Sequence, residues 1–156
     1  MADYTFVTRW HIGAPIERVF AEIEDSPSWP SWWKGVVAVD LLEPGRDDSV
    51  GQVTRTTWRS RLPYDLTFHA RVARKRAPVE IVVDAFGELE GKGRWELAPE
   101  GDGTAVTYHW NVATNKWWMN ALAPIARPLF QWNHDAIMRW GGEGLAKRLG
   151  ASYTER

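Results

Sequence analysis

The sequence predicts an α+β domain: a seven-stranded, curved antiparallel sheet wrapped around a long C-terminal helix, with two short helices after the first strand. Three observations lead there. Seven segments alternate with period two, helical spacing occurs only after the first and after the last of them, and each strand carries one largely apolar face. No repeat, low-complexity tract or Pro/Gly/Ser linker divides the 156 residues. That length suits one core, so residues 1–156 are read as a single domain.

Tyr4 to Ile12 places Tyr4, Phe6, Thr8, Trp10 and Ile12 on one side and Thr5, Val7, Arg9 and His11 on the other, a strand with one wet face. Gly13-Ala14-Pro15 breaks it. Pro15 then opens a helix in which Ile16, Val19, Phe20 and Ile23 recur at helical spacing up to Asp25. Ser26 to Gly35, carrying Pro27, Pro30, Trp29, Trp32 and Trp33, reads as a turn or second short helix too aromatic to be left in solvent. Six more strands are expected at Val36–Leu42, Gln52–Leu62, Asp65–Lys75, Val79–Phe86, Gly91–Leu97 and Thr104–Thr114. Turn residues at Glu43-Pro44-Gly45, Leu62-Pro63-Tyr64, Arg76-Ala77-Pro78 and Glu100 to Gly103 imply an antiparallel meander. After Asn115 a helical pattern runs to about Leu149, with Pro124 and Pro128 placed to start, kink or divide it.

Alternation assigns faces. Thr54, Thr56, Trp58, Ser60 and Leu62 oppose Arg55, Arg59 and Arg61; Leu66, Phe68, Ala70 and Val72 oppose Asp65, Thr67, His69 and Arg71. Ile81, Val83 and Ala85, then Gly91, Gly93, Trp95 and Leu97, then Val106, Tyr108, Trp110 and Val112 continue the apolar face. Only the last helix has a long apolar surface to cover it, and Trp118, Leu122, Ile125, Leu129, Trp132, Ala136 and Trp140 form the stripe expected to face the sheet. The chain has 11 Trp, which serve as core filler or as pocket lining. Their N–H groups are hard to satisfy in a dry core and easy to satisfy in a partly hydrated pocket.

Composition narrows the function. Lys plus Arg number 19 and Asp plus Glu 20, a net charge of -1, so broad attraction to nucleic acid or an anionic membrane is not expected. Met1-Ala2-Asp3-Tyr4 lacks the basic start and apolar run of a signal peptide, and no stretch reads as a membrane span, so a cytoplasmic protein without stable membrane insertion is expected. Cysteine is absent, which excludes disulfides and thiolate chemistry. His11, His69, His109 and His134 show no metal spacing, and no metal or cofactor is expected. No serine sits in a nucleophile elbow, and the glycines Gly87, Gly91 and Gly93 precede no helix N-terminus.

The order of elements resembles the START-like helix-grip superfamily and, within it, the bacterial polyketide cyclase/dehydrase-like proteins. The likeness also rests on Ala14-Pro15, Glu17, Val19-Phe20 and Asp25 around the first helix, and on Trp29-Pro30-Ser31-Trp32-Trp33. Trp132-Asn133-His134-Asp135 and Met138-Arg139-Trp140-Gly141 add to it in the last helix. The resemblance spans essentially the whole chain and implies a ligand cavity between sheet and helix. Members bind lipids, sterols, quinones, plant hormones or aromatic polyketides, so it leaves the ligand open. Aromatase/cyclases of this fold place polar residues, including arginine, inside the cavity. Here Arg55, Arg59, Arg61 and Arg71 are assigned outward, and only a β-bulge would turn one in, so no catalytic arginine is carried over.

The expected partner is therefore an apolar, aromatic or polycyclic small molecule. Trp10, Thr56, Trp58, Phe68, Val83, Trp95, Tyr108 and Trp110 would contact it from the sheet, and Leu129, Trp132, Asn133, Ile137 and Trp140 from the helix. A binding or carrier module is favoured over a cyclase/dehydrase in which Tyr108, Asn133 and His134 would be the acid, base and orienting groups. The pairs Trp32-Trp33 and Trp117-Trp118 are left between core and portal. An interaction module would need an exposed apolar patch, for which only Trp29 to Trp33 is available.

Overall fold

The computed structural model of the protein describes residues 3–60, 62, 65–114, 117, 121 and 123–155. Its elements run β1 (Asp3–Ile12), α1 (Ile16–Glu24), a 3₁₀ turn (Ser26–Ser31), β2 (Val36–Glu43), β3 (Val53–Arg59), β4 (Asp65–Arg76) and β5 (Glu80–Gly87). β6 (Leu89–Glu100), β7 (Gly103–Thr114), α2 (Ala123–Leu149) and β8 (Tyr153–Glu155) complete it. The strands form one curved sheet in the order β2-β3-β4-β5-β6-β7-β1-β8. Seven strands were expected, and the eighth is a three-residue strand pairing with Trp10 to Ile12 of β1. Three residues are too few to register a period, and their pairing is set by tertiary contact alone. Among the described residues no helix is long and apolar enough to cross a membrane.

The arginines lie where alternation put them. Arg55 bonds Asp40 at 3.1 Å, Arg59 grips Asp65 through two hydrogen bonds of 3.1 Å, and Arg71 lies over the Phe86 ring. Arg61, Pro63 and Tyr64 lie outside the described residues. On the same outer surface Arg74, Arg76 and Arg94 converge on Glu80. Burial opposes ionisation of this carboxyl, but the hydrogen bonds from Arg94, Arg74 and Arg76 outweigh it and hold the group below the usual carboxylate range.

One strand breaks its own alternation. Val72 pairs with Val83 but Arg74 pairs with Val82, so Ala73 is an extra residue in β4, a β-bulge. Up to Val72 the even-numbered residues face inward; beyond Ala73 the odd-numbered ones do. The bulge keeps Arg74 and Arg76 outside with Glu80 and turns Lys75 inward opposite Ile81. Strict alternation continued past Arg71 would put Lys75 outside.

The last helix is also rotated from its expected phase. Phe130, Met138 and Leu145 are buried and His134 and Ile137 half-buried on its inner side. Leu129 and Trp132, expected inside, are 46% and 48% exposed. Weighting the phase by tryptophan chose the wrong stripe, because the true one includes a histidine and a glycine that a hydrophobicity reading undervalues. Ala136 is buried as expected. Trp118, Leu122 and the side chain of Ile125 lie outside what is described.

The glycine in that stripe is Gly141. A Cβ built there would sit 2.4 Å from the Trp33 ring, whose indole N–H donates to the Ile137 carbonyl at 2.9 Å. This close approach brings the segment after α1 down onto α2. Gly141→Ala should therefore destabilise. The helix-propensity gain of about 1 kcal/mol is smaller than the overpacking cost of about 1–3 kcal/mol, because the ring is pinned by its hydrogen bond. Urea unfolding checks this; an alanine variant more stable than wild type would mean that the Trp33 ring is free to retreat.

Candidate functional site

Between sheet, 3₁₀ turn and α2 lie two adjoining lobes of about 650 and 510 Å³, openings to solvent included. Trp29, Trp58, Phe68, Trp95, Tyr108 and Trp110 line both. The first lobe continues past Thr54, Thr56, Val72, Ile81 and Val83 to Glu24, Ser26, Gln52 and Lys75. The second continues to Trp33, Leu66, Leu89, His134, Ile137 and Met138.

The rings form a continuous wall. Trp95 stacks on Tyr108 at 4.1 Å between centroids, Tyr108 on Trp110 at 5.8 Å, and Trp110 tilts against Phe68 at 5.5 Å. Trp33 stands edge-on to Trp58 at 5.2 Å. The rings can lean over β6 because residue 93 is glycine: a Cβ there would lie 2.6 Å from the Tyr108 hydroxyl and 3.0 Å from the Trp110 ring. Dry partners satisfy several indoles. Trp29 donates to the Ile23 carbonyl and Trp58 to Thr56 Oγ1 at 3.1 Å, while the N–H of Trp10 is buried with no partner in the structure. Protein acceptors thus meet the N–H groups of Trp29 and Trp58.

Of the residues expected to touch a ligand, Thr56, Trp58, Phe68, Val83, Trp95, Tyr108, Trp110 and Ile137 line the lobes. Trp10 does not; it is 1% exposed, sealed behind Trp33 and Trp95. Leu129 and Trp132 are on the outer side of α2, and Trp140 packs beside the Lys34 ammonium. Asn133 is outside both lobes, its Oδ1 buried without a partner. Trp29, Trp33 and Lys75 were not expected to line the cavity. Trp29 and Trp33 stand in a turn whose period carries no facial information, and Lys75 was hidden by the bulge. A signal for the bulge did exist, since unbroken alternation would have pointed both Arg74 and Arg76 into the core.

Two weak candidates for chemistry meet at the second lobe. Burial pushes the Tyr108 hydroxyl far above its ordinary range, so it is a donor that does not ionise. His134 stacks on Phe6 at 4.1 Å, its Nδ1 is buried without a partner, and burial lowers its pKa to about 4. The imidazole is thus neutral at neutral pH. His11, His69 and His109 lie elsewhere, against Glu100, Phe86 and Glu96. Among the described residues no group of three or more acidic or histidine side chains is arranged to hold a metal.

This arrangement of sheet and helices matches known proteins. A profile described as polyketide cyclase / dehydrase and lipid transport matches residues 4–150. The chain belongs to that family. Among solved structures, the family's START-like fold is shared with the Zhui aromatase/cyclase from Streptomyces sp. R1128, at TM-score 0.76 and 14% identity over 94% of this chain and 93% of that one. A START superfamily protein from Mycobacterium smegmatis gives 0.72 and 14%, over 94% and 95%. The di-domain ARO/CYC BexL of the BE-7585A biosynthetic pathway gives 0.73 and 21%, over 93% of this chain and 49% of that one. The chain spans about half the length of BexL and of a second di-domain protein, StfQ. At such identities these neighbours establish the fold alone. No curated protein matches the sequence.

The buried imidazole makes a prediction within this family frame. His134 takes its proton near pH 4 when folded and near 6.5 when unfolded. The unfolded chain therefore binds more protons between those values. Stability from this group is full above pH 6.5 and is lost as the pH falls toward 4. Comparing urea unfolding at pH 7.5 and 4.5, His134→Leu should lose less stability than wild type by about 2 kcal/mol. Equal losses would mean the imidazole is already protonated in the fold.

Proposed function

We propose that the protein binds a flat, apolar aromatic molecule in the two-lobed cavity, as a binding or carrier module. The observation that carries this reading is the ring wall itself: Trp29, Trp58, Phe68, Trp95, Tyr108 and Trp110 face one space from four strands and the 3₁₀ turn. Offset and edge-on contacts favour planar ligands by about 0.5–1.5 kcal/mol per ring beyond simple burial, an advantage flexible acyl chains lack.

A cyclase/dehydrase is the second reading, favoured by the family and by Tyr108 and His134 lining the same lobe. Both groups are badly matched to that work. A general acid or base acts best with a pKa near the working pH, whereas Tyr108 is displaced far upward and His134 downward. The arginines Arg55, Arg59 and Arg71 support the binding reading by lying outside. If an aromatic polyketide substrate is turned over and His134→Ala lowers that turnover by roughly 10²–10⁴-fold at unchanged affinity, the cyclase replaces the carrier.

Intrinsic Trp fluorescence tests the preferred reading. Planar polycyclic or quinone-like compounds should quench it saturably and bind more tightly than fatty acids of similar apolar area. Trp58→Leu and Trp110→Leu should each weaken the planar ligand by roughly 3–10-fold while the fold survives. Tighter fatty-acid binding, or two leucine variants that bind like wild type, would return these rings to the role of core.

A further inference from the structure

We propose that Lys75 anchors an acidic group on the ligand, so that the occupant is an aromatic acid, a carboxylate or ionised enol or phenol on a planar ring system. This rests on the aromatic-ligand reading above and adds the polar end of the molecule.

The lobes have one charged end. Among the described residues lining them, the only Lys, Arg, Asp or Glu side chains are Lys75 and Glu24, and they sit together beside Ser26 and Gln52. The Lys75 side chain is 9% exposed, although it is a lysine on a sheet whose other face offers ample solvent. It is there because of the bulge at Ala73, which shifts the β4–β5 register so that Lys75 pairs with Ile81 and lines the first lobe. Removing a charge from water is costly, and an inward lysine on an apolar wall calls for a compensating anion.

Glu24 supplies part of that compensation. Its Oε2 accepts from Lys75 Nζ at 3.0 Å, but its side chain is 37% exposed, and it is the last residue of α1. An ammonium carries three donors, and this bond uses one. The Ser26 hydroxyl and Gln52 amide add further donors at the same end, where Glu24 is the one carboxylate. The bulge serves the outer cluster of Arg74, Arg76 and Glu80, and its second consequence is an ammonium at the one charged end of the lobes. The half-exposed carboxylate is placed to swing into solvent when a ligand anion takes its position, while the rings hold the planar body.

The test uses anthracene-2-carboxylate and its carboxamide, equal in ring area and different in charge, titrated by Trp fluorescence at pH 7.5. Wild type should prefer the acid by roughly ten-fold, the size of one charge-assisted hydrogen bond. Lys75→Gln should erase that preference by weakening the acid and sparing the amide, Lys75→Arg should restore part of it, and Glu24→Gln should increase it. Equal wild-type affinities, or a glutamine variant that weakens both compounds alike, would reduce Lys75 to a structural tie and leave the aromatic cavity standing. If wild type binds neither compound, the aromatic reading fails and this one with it. Should Lys75→Gln not fold, Glu24→Gln decides: an unchanged acid preference overturns the proposal.

Discussion

The Trp33 indole holds the architecture together. It is 2% exposed, donates to the Ile137 carbonyl of α2, lies against Gly141, and meets the rings of Trp10, Trp29, Trp58 and Trp95. One side chain thereby joins the helix, the 3₁₀ turn and strands β1, β3 and β6. Truncating a buried aromatic of this kind costs about 3–5 kcal/mol, a large share of the stability of a small domain. The Trp33 ring reinforces the contacts that Trp29 of the turn makes with Trp58 and Trp95 of the sheet, which form one wall of the cavity.

The same constraint explains why space remains beside so many large rings. Trp33 fills the gap between sheet and helix at one end and Phe130, Phe6 and Tyr4 fill it at the other, forming two core clusters. Trp95 belongs to the first cluster and Trp110 to the second, Trp58 and Tyr108 pack against both, and Gly93 leaves the room the rings need. On the proposed reading, walls held in this way lose little side-chain freedom when a planar ligand binds.

Much of this was legible in the sequence. The seven long strands and the outward placement of Arg55, Arg59 and Arg71 follow from period-two alternation, because each strand buries one face and charges cannot follow it inside. The inward set Thr56, Trp58, Phe68, Trp95, Tyr108 and Trp110 came from the same rule. What the rule lost has specific causes. An inserted residue at Ala73 reverses the parity of everything after it, which hid Lys75. The inner stripe of α2 passes through His134 and Gly141, so Leu129 and Trp132 pointed to the wrong phase. Trp29 and Trp33 belong to a turn without a repeat, and only tertiary packing shows which way they face. Trp10 was correctly read as inward, yet lies behind the cavity wall, a depth that alternation cannot report.

The most direct measurement is native mass spectrometry of the protein purified from its own host, with the retained molecule released and its absorbance recorded. A planar aromatic acid, present at up to one per chain and absorbing in the near ultraviolet or visible, is the expected result. A retained fatty acid or phospholipid would contradict it, because the ring wall would then be serving a flexible chain.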